Sequence, residues 1–259
     1  MRDRITWLTT PLLLAALVLA WDVYVRAADV SALILPPPAD VWAAIIELAR
    51  DPRTLPHVTI TIYETLVGFF IAIAVGVGLG AILGKVAWLE RTLNPIIVGL
   101  QVMPKIALVP LFIIWFGFGP TSKIVIAAVL AFFPIMTNTM LGMKSVDRGH
   151  RDVMTSLNAG RWQTFRDMEL PHALPFILTG MEVGIVLAII GAIVGEYLGG
   201  STGLGHLAVA RLNAFDTPGM FAVIFALTAI GFVLYFAVVR LRRFVTPWHE
   251  AVSGTQGSE

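Results

Sequence analysis

Six long apolar stretches, separated by short polar segments, run the length of this 259-residue chain: residues 5–25, 59–83, 95–116, 123–143, 174–198 and 220–241. A hydrocarbon core about 30 Å thick is crossed by roughly 20 residues of helix, so each stretch predicts one membrane span. The fold class that follows is all-α, a polytopic membrane helical bundle read as one domain over residues 1–259. Composition sharpens this picture without changing it. Only 14% of the residues are charged and 57% are hydrophobic, whereas soluble domains carry about 25% charge.

The lysines and arginines set the orientation. With the N-terminus in the cytoplasm, 12 of the 18 fall in inward segments and five in outward ones, with Lys105 inside the third span. Both termini are then expected inside, together with the polar stretch 144–173. The first span has two readings. A retained helix is favoured by its length and by Arg26 at the would-be cleavage site; a signal peptide would end near Ala27 and Ala28. Beyond it, Leu35-Pro36-Pro37-Pro38 predicts a stiff connector. Asp40 is expected to cap a short amphipathic helix over 41–50, with Trp42, Ile45, Ile46 and Leu48 near one face, lying on the outer membrane surface. The polar tail 247–259 is read as an unstructured cytoplasmic segment.

The third span is interrupted. Met103-Pro104-Lys105-Ile106-Ala107-Leu108-Val109-Pro110 sets two prolines six residues apart, and backbone freed by proline at membrane depth is tolerated only against protein or water. Either a kinked helix or a pathway-lining segment is expected. The tight turn Gly117-Phe118-Gly119-Pro120-Thr121 then folds spans three and four into a hairpin.

Four charges, Glu64, Lys105, Glu182 and Glu196, lie inside or at the edges of spans, where each costs at least about 2.5 kcal/mol unless paired or wetted. They are the candidate pathway or substrate residues. For Lys105 two roles compete: attraction of an anionic substrate, and neutralisation of a glutamate in a Glu64–Lys105 pair. Glycines four apart, Gly76, Gly80 and Gly84 on the second span and Gly180/Gly184 and Gly191/Gly195 on the fifth, predict close helix packing. For the fifth span, that packing lies either within one subunit or between two.

Much chemistry is excluded. A net charge of +1 gives no basic face for nucleic acid. Cysteine is absent, and the five histidines show no metal-ligand spacing. No phosphate-cradling G-x-x-x-x-G-K-[ST] string occurs. Catalytic residues and metal ligands are therefore not expected.

Around residue 147 the chain leaves the membrane pattern. Asp147 or Asp152 can cap a short helix bearing Val153, Met154 and Leu157 on one side. Asn158-Ala159-Gly160 permits a turn. A second helix over 161–169 sets Trp162, Phe165 and Met168/Glu169 one turn apart, and Leu170-Pro171 with Pro175 is expected to end it before the fifth span. The result is a knob with an apolar, aromatic face. It suits either the docking of a soluble partner or a cover for the bundle's own cytoplasmic end.

The knob resembles the EAA loop of ABC importer permeases, E-A-A-x-x-x-G followed about a dozen residues later by L-P. Leu157, Ala159, Trp162, Phe165 and Leu170-Pro171 fall at matching distances. Elsewhere Pro104–Leu111, Trp115-Phe116-Gly117-Phe118-Gly119, Phe132-Phe133-Pro134, Asn138-Thr139, Ser145-Val146-Asp147, Gly195-Glu196 and Gly203-Leu204-Gly205 resemble the nitrate/sulfonate/taurine-type branch. The likeness covers about residues 58–245. The loop departs from the pattern at Asp152 for glutamate, Val153 and Met154 for the two alanines, and Asn158 for glycine. The larger Val153 and Met154 imply an altered groove on the partner.

The resemblance implies a permease subunit of an ATP-driven importer in a bacterial inner membrane, forming the path for a small, anionic or polar organic solute. It implies that Asp152, Val153, Met154, Leu157, Asn158, Gly160, Trp162, Phe165, Leu170 and Pro171 belong to a coupling helix–turn–helix gripping a cytoplasmic ATPase subunit. Further implied partners are a second permease copy and a periplasmic or lipid-anchored binding protein, which would deliver solute to the outer face where the 35–55 connector and the Gly199–Asp216 loop are expected. ATP and Mg sit on the ATPase subunit, leaving this chain without a cofactor and without an enzymatic activity of its own. Rival readings are a stand-alone channel or secondary transporter, which calls for inverted repeats or an intramembrane titratable chain, and a non-transporting scaffold.

Overall fold

The computed structural model describes residues 2–247, with side chains for 9–147 and 149–247. The described elements are all helical: α1 (Arg2–Ala27), α2 (Pro38–Arg50), α3 (Thr54–Lys85), α4 (Ala87–Val102), α5 (Val109–Phe116), α6 (Pro120–Lys144), α7 (Arg148–Ser156), α8 (Arg161–Thr164), α9 (Leu170–Gly199), α10 (Leu204–Asn213) and α11 (Thr217–Val245). Five helical stretches are long and apolar enough to cross a membrane, and α4 with α5 makes a sixth if the bent pair counts as one. The tail expected beyond Pro247 lies outside the described residues.

Small residues decide how the centre is built. Helix α6 lies between α3 and α9, and glycine on both neighbours lets the backbones approach. A Cβ at Gly80 would sit 2.5 Å from the Met136 carbonyl oxygen, and one at Gly191 would sit 2.8 Å from the Ala127 Cα. Gly76, Gly84, Gly180, Gly184 and Gly195 face α6 as well, so both seams are used within one chain. Phe69, Ala72, Ala127, Ala131, Ile135, Ile185 and Ala188 fill the space between. Helix α1 stands apart from this core: Trp21 lies against Phe221 of α11, 6.1 Å between centroids, and Val25 is buried.

Four sequence expectations are corrected. The break expected in the third span is present, but the bounds 95–116 are not: α4 starts at Ala87 and contains Pro95, then the chain turns by 81° into a short 3₁₀ segment and α5. The cause is Pro104, which drives the preceding Met103 to extended backbone (φ −58°, ψ 130°). Pro110 instead opens α5, where a missing N–H costs nothing.

The second correction concerns α2. It begins at Pro38 rather than after Asp40, which makes no cap and lies in the first turn, favourable for the helix dipole. Val41 and Leu48 are buried, Leu48 against Leu204 and Ala208 of α10 and Ala222 and Val223 of α11, and Trp42 is exposed. Third, Leu170-Pro171 does not end the second knob helix. A π turn over Phe165–Glu169 carries α8 directly into α9, with the Leu170 N–H bonded five residues back to the Phe165 carbonyl. That wider turn removes the clash Pro171 would make with the fourth preceding carbonyl. Fourth, the expected loop 199–216 contains α10.

Candidate functional site: a knob, an elbow and a buried polar cluster

Asp147 caps α7, accepting from the Gly149 N–H at 2.9 Å. Asp152 sits mid-helix and exposed. The turn after α7 uses Asn158 in the left-handed region (φ +55°), while Gly160 is extended and precedes α8. Val153, Leu157 and Trp162 are 58%, 71% and 71% exposed, so three large apolar side chains face largely outward. Met154 is half-buried behind them.

The back of the knob is fixed. Trp162 lies against Phe165, 5.6 Å between centroids, and the Lys85 ammonium lies 4.4 Å from the Phe165 ring. Glu169 is buried and pairs with Lys85 at 2.5 Å and Arg151 at 3.9 Å. The knob is thus tied to the end of α3 and continues without a break into α9, where Leu170 and Pro171 form the first turn.

The expected Glu64–Lys105 pair is not formed. The Lys105 ammonium donates to the Gln101 carbonyl at 3.0 Å and rests 4.6 Å from the Phe133 ring, because the elbow turns it back over the end of α4. Glu64 instead lies beside Glu196 and is attracted by Lys123, at the end of α9 remote from the knob. Glu182, lower on α9, pairs with Arg242 of α11 at 3.0 Å.

The cluster at the far end of α9 joins five elements. Glu64, Lys123 and Glu196 are 2%, 2% and 0% exposed, so water does not screen them. Lys123 donates to the carbonyls of Phe118, Gly119 (3.1 Å) and Gly199 (2.8 Å). Glu196 accepts from the Thr61 hydroxyl at 2.6 Å and the Gly205 N–H at 2.7 Å. Leu204 N–H donates to Thr61 Oγ1 at 2.9 Å, and His57 Nδ1 lies beside the Gly203 backbone. Gly203 has φ +109°, and a Cβ there would fall 2.2 Å from the Glu196 carboxyl carbon. Only glycine serves at that position. Sequence reasoning missed Lys123, which it placed at the outer edge of the fourth span. Its three acceptors are backbone carbonyls, one of them 76 residues away, and backbone acceptors leave no signal in a sequence.

A helical membrane bundle with a broken span, close small-residue seams and an anchored knob is the architecture of a transport permease. The match to known proteins gives the particular family. The model for binding-protein-dependent transport system inner membrane components matches residues 72–247, and the chain belongs to that family, as a permease subunit of the ABC importer class. It is 35% identical over 248 residues to the riboflavin transport system permease protein RibX of Chloroflexus aurantiacus, covering 95% of this chain and 92% of RibX. It is 32% identical over 234 residues to the formylaminopyrimidine transport permease protein ThiX of Halalkalibacterium halodurans, covering 90% and 93%. The taurine transport system permease protein TauC of Escherichia coli is 30% identical over 244 residues, covering 92% and 89%. A chain of the MetNI methionine ABC transporter, solved in inward-facing conformations, shares the fold with a TM-score of 0.66 at 22% identity, covering 74% of this chain and 95% of that one. The permease reading taken from the sequence motifs is borne out.

Proposed function

We propose that two copies of this chain form the path by which a small, anionic or polar organic solute enters the cell, driven by ATPase subunits held at the 147–170 knob. The observation that carries this reading is the knob itself. Val153, Leu157 and Trp162 open outward from a base that Glu169 fixes to Lys85 and Arg151. A rigid knob continuous with a long helix turns a partner's movement into movement of that helix. Asp152, Asn158 and Gly160 shape its front edge; Met154, Phe165, Leu170 and Pro171 seat it.

In this reading the termini and the knob lie in the cytoplasm, the side that the lysine and arginine bias favours. A binding protein delivers solute to the opposite face, near α2 and α10. ATP and Mg stay on the ATPase subunit. The relatives named for riboflavin, formylaminopyrimidine and taurine support a small polar organic substrate class.

The test is co-purification of the chain with the transporter's ATPase subunit from membranes. Asp152→Arg and Trp162→Ala are expected to abolish association and solute-stimulated ATP hydrolysis while the permease melts as wild type. Undiminished ATPase binding by both variants overturns the docking role; a scaffold or stand-alone channel predicts that outcome.

A further inference from the structure

Arg240, Arg242 and Arg243 stand in the last two turns of α11, and they are not equivalent. Arg242 faces α9, where it pairs with Glu182 at 3.0 Å. Glu182 also attracts Arg243, from beyond ion-pair distance. Among the described residues no other carboxylate pairs with the three, so positive charge is left over at this end of the helix. A helix turns about 100° per residue, which sets Arg240 and Arg243 about 60° apart and each at least about 100° from Arg242. Both are exposed on the outer face of α11. The small Ala237 leaves an open hollow there of about 670 Å³, lined by Ala237, Arg240, Leu241, Arg243 and Phe244. Toward the middle of the span the same face continues as the exposed Phe232, Val233 and Phe236, with the two rings stacked 6.0 Å apart.

We infer that this face of α11 holds one anionic phospholipid, its phosphate between Arg240 and Arg243 and an acyl chain along Phe236, Val233 and Phe232. The side chains follow the order of the ligand, apolar along the span and cationic at its end. The 29 residues of α11 extend about 43 Å, more than a hydrocarbon core about 30 Å thick, so the last turns stand among headgroups. Side chains three apart on a helix have Cβ atoms about 5–6 Å apart, a spacing at which two guanidinium forks can grip the oxygens of one phosphate. Charge selects the lipid: a zwitterionic head brings its own cation, whereas a phosphatidylglycerol head keeps a net negative charge for the two arginines. A second copy seated here would have to bring an unpaired carboxylate. At the knob end of the bundle Glu90, Glu169 and Glu182 are already paired with Lys144, Lys85 and Arg242. The site is separate from knob and elbow, so it does not rest on the importer reading. In the orientation proposed above it opens to the cytoplasmic leaflet.

The test is native mass spectrometry of the full chain released from detergent micelles, titrated with dioleoyl phosphatidylglycerol or dioleoyl phosphatidylcholine. Each arginine is worth about fivefold in binding an anionic head, so one phosphatidylglycerol per chain should bind at least about twentyfold tighter than phosphatidylcholine. The double variant Arg240→Gln/Arg243→Gln should bring the two lipids within about twofold of each other, and Arg243→Gln alone should reduce the preference about fivefold. The single variant decides the matter if the double one does not fold. Phe236→Ala should weaken both lipids and leave their ratio unchanged. Arg91→Gln, which removes an exposed arginine from α4, should alter the preference less than about twofold. Equal binding of the two lipids by wild type, an unaltered preference in the arginine variants, or an equal loss in Arg91→Gln (attraction by the basic face as a whole) overturns the proposal. So does displacement of phosphatidylglycerol by millimolar inorganic phosphate, the mark of a free-anion site. Loss of the second copy or of the ATPase subunit from the double variant, with its lipid preference intact, assigns the face to that protein instead.

Discussion

Replacing Lys123 by methionine is expected to loosen the whole remote end of the bundle. The wild-type ammonium makes three hydrogen bonds to carbonyls, each worth about 1.5–3 kcal/mol for a charged donor. Against this stands the cost of keeping an ammonium out of water, several kcal/mol, which methionine avoids. Methionine fills much of the same space but leaves the Gly199 carbonyl without its donor and removes the cation nearest Glu64 and Glu196. The net loss should resemble that of stripping one partner from a buried pair, about 3–5 kcal/mol. For a chain of this size that lowers the melting temperature on the order of 10 °C. The assay is thermal unfolding in nanodiscs, followed by tryptophan fluorescence, for wild type, Lys123→Met, Glu64→Gln and the double variant. The double variant should recover at least about 1 kcal/mol relative to additivity, because Glu64→Gln leaves one buried carboxyl rather than two beside the place that has lost its ammonium. A Lys123→Met protein melting within about 2 °C of wild type, or strictly additive variants, would falsify the electrostatic account of this cluster.

Three further outcomes follow from local geometry. Gly80→Leu should lower the melting temperature strongly by forcing α3 from α6, whereas Gly78→Leu, where a Cβ meets nothing within 4 Å, should leave it within about 0.5 kcal/mol of wild type; equal effects of the two would refute the seam. Gly203→Ala should cost about 2–4 kcal/mol through its positive φ and its clash with Glu196, read from the same melts, and a neutral result would mean that the α9–α10 connection is free to move. Glu169→Gln should speed amide exchange across α7 and α8 at least about tenfold while global melting changes little, because it unties the knob from Lys85 and Arg151 without touching the central seam; unchanged exchange would show that the ion pairs do not hold the knob.

The parts of the fold legible in the sequence are those set by near neighbours. Apolar run length fixed the spans, because the bilayer imposes it. Glycines four apart located the seams, because one helix face recurs every 3.6 residues. Pro104 announced a break, since its effect on Met103 is local, although the 81° angle depends on what α3 and α6 allow. Pro171 misled, because the chain can widen one turn to pass a proline, and nothing in the residue types distinguishes a stop from a π turn. The pairing of the intramembrane charges was out of reach. Glu64 is 59 positions from Lys123 and 41 from Lys105, and the choice between them is made by how α3 is rotated against α6. Helix α10 leaves little trace in the sequence, because ten residues are too few for a clear helical period.

Both ends of α9 are locked by buried carboxylates, Glu169 toward the knob and Glu196 at the far end, and its middle is seamed to α6 through glycine. Thirty residues of helix span about 45 Å, so a displacement at the knob cannot be absorbed inside α9 without breaking one of these contacts. Helix α6 is seamed to α3 as well, and the three move as a block. Helix α4 differs: none of its residues is buried, and its start is tied to α6 through the exposed pair of Glu90 and Lys144 at 2.6 Å. The elbow is therefore the part of this chain with least to lose by shifting. On the proposed docking of ATPase subunits, a push delivered to the knob is relieved at the elbow or between two copies.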